Sequence, residues 1–170
     1  MLSDCRARRA NILLVIADDH GTNDAGCYGH ASLHTPALDE LAAHGVRMSH
    51  AFCSSPSCSA SRSTILTGLH NHANGQYGHA HAPYNFSTFA HVRSLPALLG
   101  AAGYRTALCG KCHVAPDDVY PFHTVINKDY TGGVSLPDDM AEACRPVIAD
   151  ASGAPFLLVF AMRELHRPFW

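Results

Sequence analysis

Apolar positions along this chain fall into two habits: short unbroken runs of branched residues, and stretches of helical spacing closed by glycine. The run Asn11-Ile12-Leu13-Leu14-Val15-Ile16-Ala17 has the first habit and reads as a strand buried on both faces of a parallel sheet. It ends in Asp18-Asp19-His20-Gly21. Thr35 to Gly45 has the second habit. Thr35 as N-cap, Pro36 at the first position, acids in the first turn and Gly45 as stop predict a helix. Val46 to Phe52 then reads as a second strand. A Ser/Pro-rich turn over Ser54 to Ser57 follows, and then a short helix from about Ser61 to Thr67, stopped by Gly68. This places Cys58 in the turn that enters the helix.

Residues 70 to 93 show little periodicity and read as a long surface excursion. A second punctuated helix is predicted from Ser94 to Gly103, and Tyr104 to Cys109 reads as a strand whose end delivers Gly110-Lys111-Cys112-His113. After a helical piece near Asp138 to Cys144, Pro155 to Ala161 makes another buried strand, ending near Glu164-Leu165-His166. No repeat, low-complexity tract or linker breaks the pattern. The elements predict one α/β unit with a mainly parallel sheet flanked by helices.

Composition narrows the function more than the fold. With 170 residues, 47% of them hydrophobic, the chain can bury roughly two-thirds of its unfolded surface, so it is no disordered tail. A net charge of -2 offers no basic field for nucleic acid, and no charge run marks a membrane-binding patch. The longest apolar run is far too short to span a bilayer. The start Met1 to Arg6 lacks the apolar stretch of a signal peptide, so the chain as written reads as cytosolic. Seven scattered cysteines do not form a disulfide framework. Most of the thirteen histidines, including His70, His72, His79 and His81, sit in loop-like stretches where abundance alone proves no metal site.

The candidate chemistry follows the strands. Asp18 and Asp19, then Lys111 and His113, then His166 all fall just after buried runs. Ligands bind at the carboxyl ends of strands in open parallel sheets, so these residues can converge on one site. Two adjacent carboxylates suit a hard divalent cation, although one could equally cap a turn while the other is solvated. Cys58 at a helix entrance could be a thiolate nucleophile, with Arg62 one turn later binding an oxyanion; an isolated cysteine is more often a small buried hydrophobe. Lys111 and His113 alternate along an extended segment and can point to one side, as a cation for an anionic substrate and an imidazole for proton transfer. Cys109-Gly110-Lys111-Cys112 is a CxxC, but it lacks the second pair of a zinc site and does not open a helix as a redox motif would.

Asn11 to Asp19, Gly29, Thr35-Pro36, Leu38-Asp39, Leu41 and Gly45, with Cys58-Ser59-Ala60-Ser61-Arg62 and Leu66-Thr67-Gly68, resemble the opening half of the type I sulfatases. Asn74-Gly75, Tyr77-Gly78, Val92 to Pro96, Gly110-Lys111, His113-Val114, Val119 to Phe122 and His166-Arg167 look most like the sulfamidase (heparan N-sulfatase) branch. The resemblance implies an alkaline-phosphatase-like fold, with residues 1–10 as an extension and 11–170 as a truncated N-terminal portion of the catalytic domain. It implies one calcium ion held partly by Asp18, Asp19 and the residue at 58, and oxidation of Cys58 to formylglycine by a formylglycine-generating enzyme. The hydrated aldehyde would attack sulfur and later expel sulfate. Arg62 would steady the formylglycine, Lys111 would neutralise sulfate charge, His113 would assist proton transfer, and His166 would face the substrate or leaving group.

The implied substrate is a sulfated saccharide or another small sulfated molecule, and the relatives are often lysosomal, periplasmic or secreted. Alanine stands at Ala60 where the family motif usually has proline. The family's later Asp-Asn pair, which completes the metal site, is not in these residues. The alternatives are an O-sulfatase, a phosphonate monoester hydrolase of the same superfamily, or an inactive truncated remnant.

Overall fold

The computed structural model describes residues 9–130 and 136–163. Its centre is a four-stranded, all-parallel sheet in the order β1-β4-β2-β3, formed by β1 (Ile12–Ile16), β2 (Arg105–Gly110), β3 (Thr124–Ile126) and β4 (Phe156–Ala161). Leu14 pairs with Val159, and Leu108 pairs with Val159 on the other side of β4. Among the described residues five α-helices accompany the sheet: α1 (Pro36–His44), α2 (Cys58–Thr67), α3 (Asn71–Asn74), α4 (Leu95–Ala101) and α5 (Pro137–Ala149).

The period of two along β4 divides the core. Leu157, Val159 and Ala161 join Leu66, Leu108, Val119 and Tyr120, with Leu95 and Leu99 of α4 packed against them. Phe156 and Leu158 join Ala107, Cys109, Met140, Cys144 and Val147 under α5. Both faces of β2 and β4 are therefore covered, as their unbroken apolar runs require.

β1 departs from the sequence reading. Its burial alternates, with Leu13 56% and Val15 50% exposed, because it lies at the sheet edge with one face uncovered among the described residues. The strand expected over Val46 to Phe52 does not form. That segment pairs with nothing in the sheet, and Val46 and Phe52 are 82% and 91% exposed. Apolar character alone cannot make a strand without a hydrogen-bonding neighbour.

The helix expected from Ser61 begins at Cys58, where the N–H of Ser61 donates to the carbonyl of Ser57 at 2.8 Å. Gly68 ends it in the left-handed region, as predicted. Residues 70–93 are also more than a surface excursion, since Asn74 and Gln76 are fully buried. The Asn71 amide donates to the carbonyls of Ala60 and Gln76, both at 2.8 Å, and the Asn74 amide donates to Ser63 Oγ at 3.2 Å. A polar network, which leaves no hydrophobic period to read, fixes this loop beneath α2.

Candidate active site

β1 and β2 run parallel, so their carboxyl ends open on the same side of the sheet, and α2 brings its first turn to that side. Asp18, Asp19, Cys58 and Arg62 line one cleft of about 580 Å³, with His20 and His79 on its wall. The carboxylates of Asp18 and Asp19 and the Cys58 sulfur lie within 4.8 Å of one another.

Asp18 is the electrostatic centre. It is 5% exposed, accepts from Arg62 Nη2 at 3.3 Å and forms a short ion pair with Lys111 Nζ. Burial raises its pKa. The hydrogen bond and charge of Lys111, and then those of Arg62, outweigh burial and hold the carboxyl below its ordinary value. Arg62, itself 4% exposed, also donates to the Lys111 carbonyl at 2.9 Å and so ties α2 to the end of β2. Asp19 is exposed and takes a left-handed conformation with φ 56. One carboxylate is thus locked in an ion-pair network while its neighbour stays open to the cleft.

The end of β2 is organised differently from the extended alternation expected of Lys111 and His113. His113 has φ 54, and the backbone N–H groups of Cys112 and His113 both donate to Asp129 Oδ1, at 2.9 and 3.1 Å. His113 consequently meets the rings of His79 and His81, with His81 Nδ1 3.1 Å from His113 Nε2. Burial, followed by the charge of Lys111, lowers the His113 pKa to about 4 against the opposing pull of Asp129. The ring is therefore neutral near pH 7.

Asp129, His79 and His81 escaped the sequence reading as site residues. Asp129 acts through its side chain on a loop seventeen and sixteen residues away, a pairing with no local signal. His166 lies outside the described residues.

The CxxC is structural. Cys109 packs under α5 and Cys112 packs in the cluster on the other face, with burial raising their thiols to about 12 and about 11. Thiols held protonated on opposite faces of a sheet serve neither redox exchange nor a shared ion. Every described cysteine is a free thiol.

Comparison with known proteins identifies the family and the fold. The profile of the family described as Sulfatase matches residues 10–170, so the chain belongs to the sulfatase family. It is similar to human N-sulphoglucosamine sulphohydrolase, at 39% identity over 98% of this chain and 34% of that protein. A structure solved in complex with its substrate D-glucosamine-2-N,6-O-disulfate superposes with a TM-score of 0.78 at 23% identity, over 95% of this chain and 36% of that one. The phosphonate monoester hydrolase of Agrobacterium radiobacter superposes at 0.75 and 19% identity, over 94% and 42%. The fold is that of the alkaline-phosphatase-like sulfatases, and the chain spans about a third of the length of the curated relative described above.

The residues present fit a hard cation in part. Two carboxylates supply the oxygen donors that calcium prefers, but fewer than its usual six to eight, while the thiol of Cys58 is a soft ligand that suits calcium only once oxygen replaces sulfur.

Proposed function

We propose that this chain carries the nucleophile-bearing part of a sulfatase active site that hydrolyses sulfamates or sulfate esters of small saccharides. In this reading Cys58 is the precursor of formylglycine, and Asp18 and Asp19 hold a calcium ion. The supporting observation is the meeting of Asp18, Asp19 and Cys58 within 4.8 Å, beside the cations Arg62 and Lys111.

With a divalent ion bound, the charges favour an anionic substrate. Two carboxylates and two cations cancel formally, so Lys111, whose ammonium has three donors and meets Asp18 with one edge, can turn another donor to a sulfate oxygen. When bound, calcium supplies positive charge that polarises sulfate oxygens, and formylglycine supplies an oxygen nucleophile in place of the thiol. Arg62 positions both partners by joining Asp18, the first turns of α2 and the Lys111 carbonyl. His113, neutral near pH 7, has a lone pair with which to accept a proton and so assists turnover. His166 is assigned to the substrate or leaving-group side. The similarity to N-sulphoglucosamine sulphohydrolase favours an N-sulfated amino sugar as substrate.

Two measurements test this. After co-expression with a formylglycine-generating enzyme, mass spectrometry of the Cys58 peptide should find the aldehyde; a peptide that remains wholly thiol refutes maturation. A chain extended to the length of the relatives should turn over a sulfamate in preference to a sulfate ester or phosphonate monoester, and Cys58→Ala should abolish that turnover. Full activity without Cys58 would overturn the mechanism.

A further inference from the structure

We propose that His79, His81 and His113 form a second metal site, specific for a borderline ion such as zinc, beside the cleft whose wall carries His79. The ligand nitrogens of these residues all lie within 4.8 Å of one another. The set contains no carboxylate, which separates it chemically from Asp18 and Asp19: imidazoles select zinc, copper or nickel, whereas carboxylates select calcium or magnesium.

The spacing is close to what coordination needs. With zinc–nitrogen bonds of about 2.0–2.1 Å, neighbouring donors of a tetrahedron sit about 3.3 Å apart. His81 Nδ1 and His113 Nε2 are already separated by 3.1 Å, and His79 closes on them by a ring adjustment of order 1 Å. In the metal-free chain one of that pair must donate its proton to the other; on binding, each neutral ring carries its proton on its remaining nitrogen, so charge and protons balance.

Both sides of the site are anchored. The N–H of Ala80, between the two loop histidines, donates to Ser59 Oγ of α2 at 3.1 Å, and the His113 backbone is held by Asp129 Oδ1. Nδ1 of His79 is buried without a hydrogen-bond partner among the described residues, an arrangement that is uncommon unless a polar atom serves a ligand. Three histidines leave a fourth tetrahedral position for water, as in open zinc sites.

The consequence for turnover rests on the function proposed above: His113 Nε2 cannot ligate an ion and transfer a proton at once, so zinc would restrain catalysis. The binding itself does not depend on that reading.

Zinc titration of the metal-stripped 170-residue chain against a chromophoric chelator tests the site. One ion should bind per chain, and His79→Ala and His81→Ala should each weaken binding more than about tenfold. His72→Ala, in the separate stacked pair His70–His72, and Cys58→Ser should leave binding unchanged. Because His81 is exposed, its substitution spares the core. Cobalt substitution adds a spectroscopic check, with d–d bands and no thiolate charge-transfer band expected. Absence of a tight site, zinc affinity that survives the His79 and His81 changes, or a thiolate band lost in Cys58→Ser would each overturn the proposal. Zinc binding by a chain whose Cys58 stays wholly thiol after co-expression with a formylglycine-generating enzyme would support the site while refuting only the formylglycine reading.

Discussion

β1 delivers Asp18 and Asp19 to the cleft directly and β2 reaches it through the Lys111–Asp18 ion pair, but the chain supports the two strand ends unequally. β2 is central and covered on both faces, and its exit is gripped by Asp129 and Arg62. β1 is an edge strand with Leu13 and Val15 exposed, and the neighbouring α1 buries no residue completely. Lys111 and His113 thus sit in a frame built by the described residues, whereas Asp18 depends on partners reaching across from β2 and α2, and Asp19 has none of that support. A site assembled this way should lose most when the β2 exit is disturbed.

The largest effect is expected at Gly110, the last residue of β2. Its φ of +89 is rarely adopted by other residues, and an added Cβ would strike the Ala161 carbonyl and come within 2.6 Å of Met140 Cε. Gly110→Ala combines backbone strain with overpacking and should destabilise by about 4 kcal/mol or more, measured by urea unfolding followed by circular dichroism. A loss under about 1 kcal/mol would show that the β2 exit is softer than its packing indicates.

Asp18 and Asp19 provide the sharpest contrast. Asp18→Asn leaves two largely buried cations facing a neutral amide and should cost about 3 kcal/mol. Asp19→Asn should change stability by no more than about 0.5 kcal/mol, because the side chain is exposed and asparagine tolerates the left-handed backbone. Calcium affinity, measured by calorimetry on an extended chain, should fall in both variants. Equal stability losses would erase the distinction drawn between the neighbours.

At the β2 exit itself, Asp129→Ala removes the acceptor of two backbone N–H groups and should destabilise by about 1–3 kcal/mol. The same change should shift the ring resonances of His113 in NMR spectra, whereas an Asp129 that only solvated the surface would leave them in place.

What the sequence carried and what it hid differ by the range of the interaction. β2, β4, α1 and α4 were legible because branched runs, Thr35-Pro36, Ser94 and the stopping glycines act within a few residues. α5 is longer than the helical piece expected near Asp138 to Cys144, since it runs through Pro146 to Ala149. β3, three residues with two exposed, carries too little apolar pattern to announce itself. Among the candidate site residues, Asp18, Asp19, Cys58, Arg62, Lys111 and His113 are readable from strand ends and motif. Asp129 and the His79–His81 pair are not, because their roles arise from contacts between segments that share no local period.

The smallest effect tests the electrostatic part of the comparison. Folding holds His113 neutral down to about pH 4, whereas the unfolded chain protonates it near 6.5. Between those values the unfolded state binds more protons, so stability rises with pH across the window and is lost as pH falls from 6.5 towards 4. Partial solvent access reduces the full linkage to about 1–2 kcal/mol. Other histidines and the carboxylates titrate in the same range, so the informative quantity is the difference between the native chain and His113→Asn, measured by urea unfolding at closely spaced pH values in a chelator. The native chain should lose stability more steeply than the variant over this window. Parallel curves would mean that water reaches His113 as freely as it reaches Asp19, and the β2 exit would then be no better enclosed than the edge at β1.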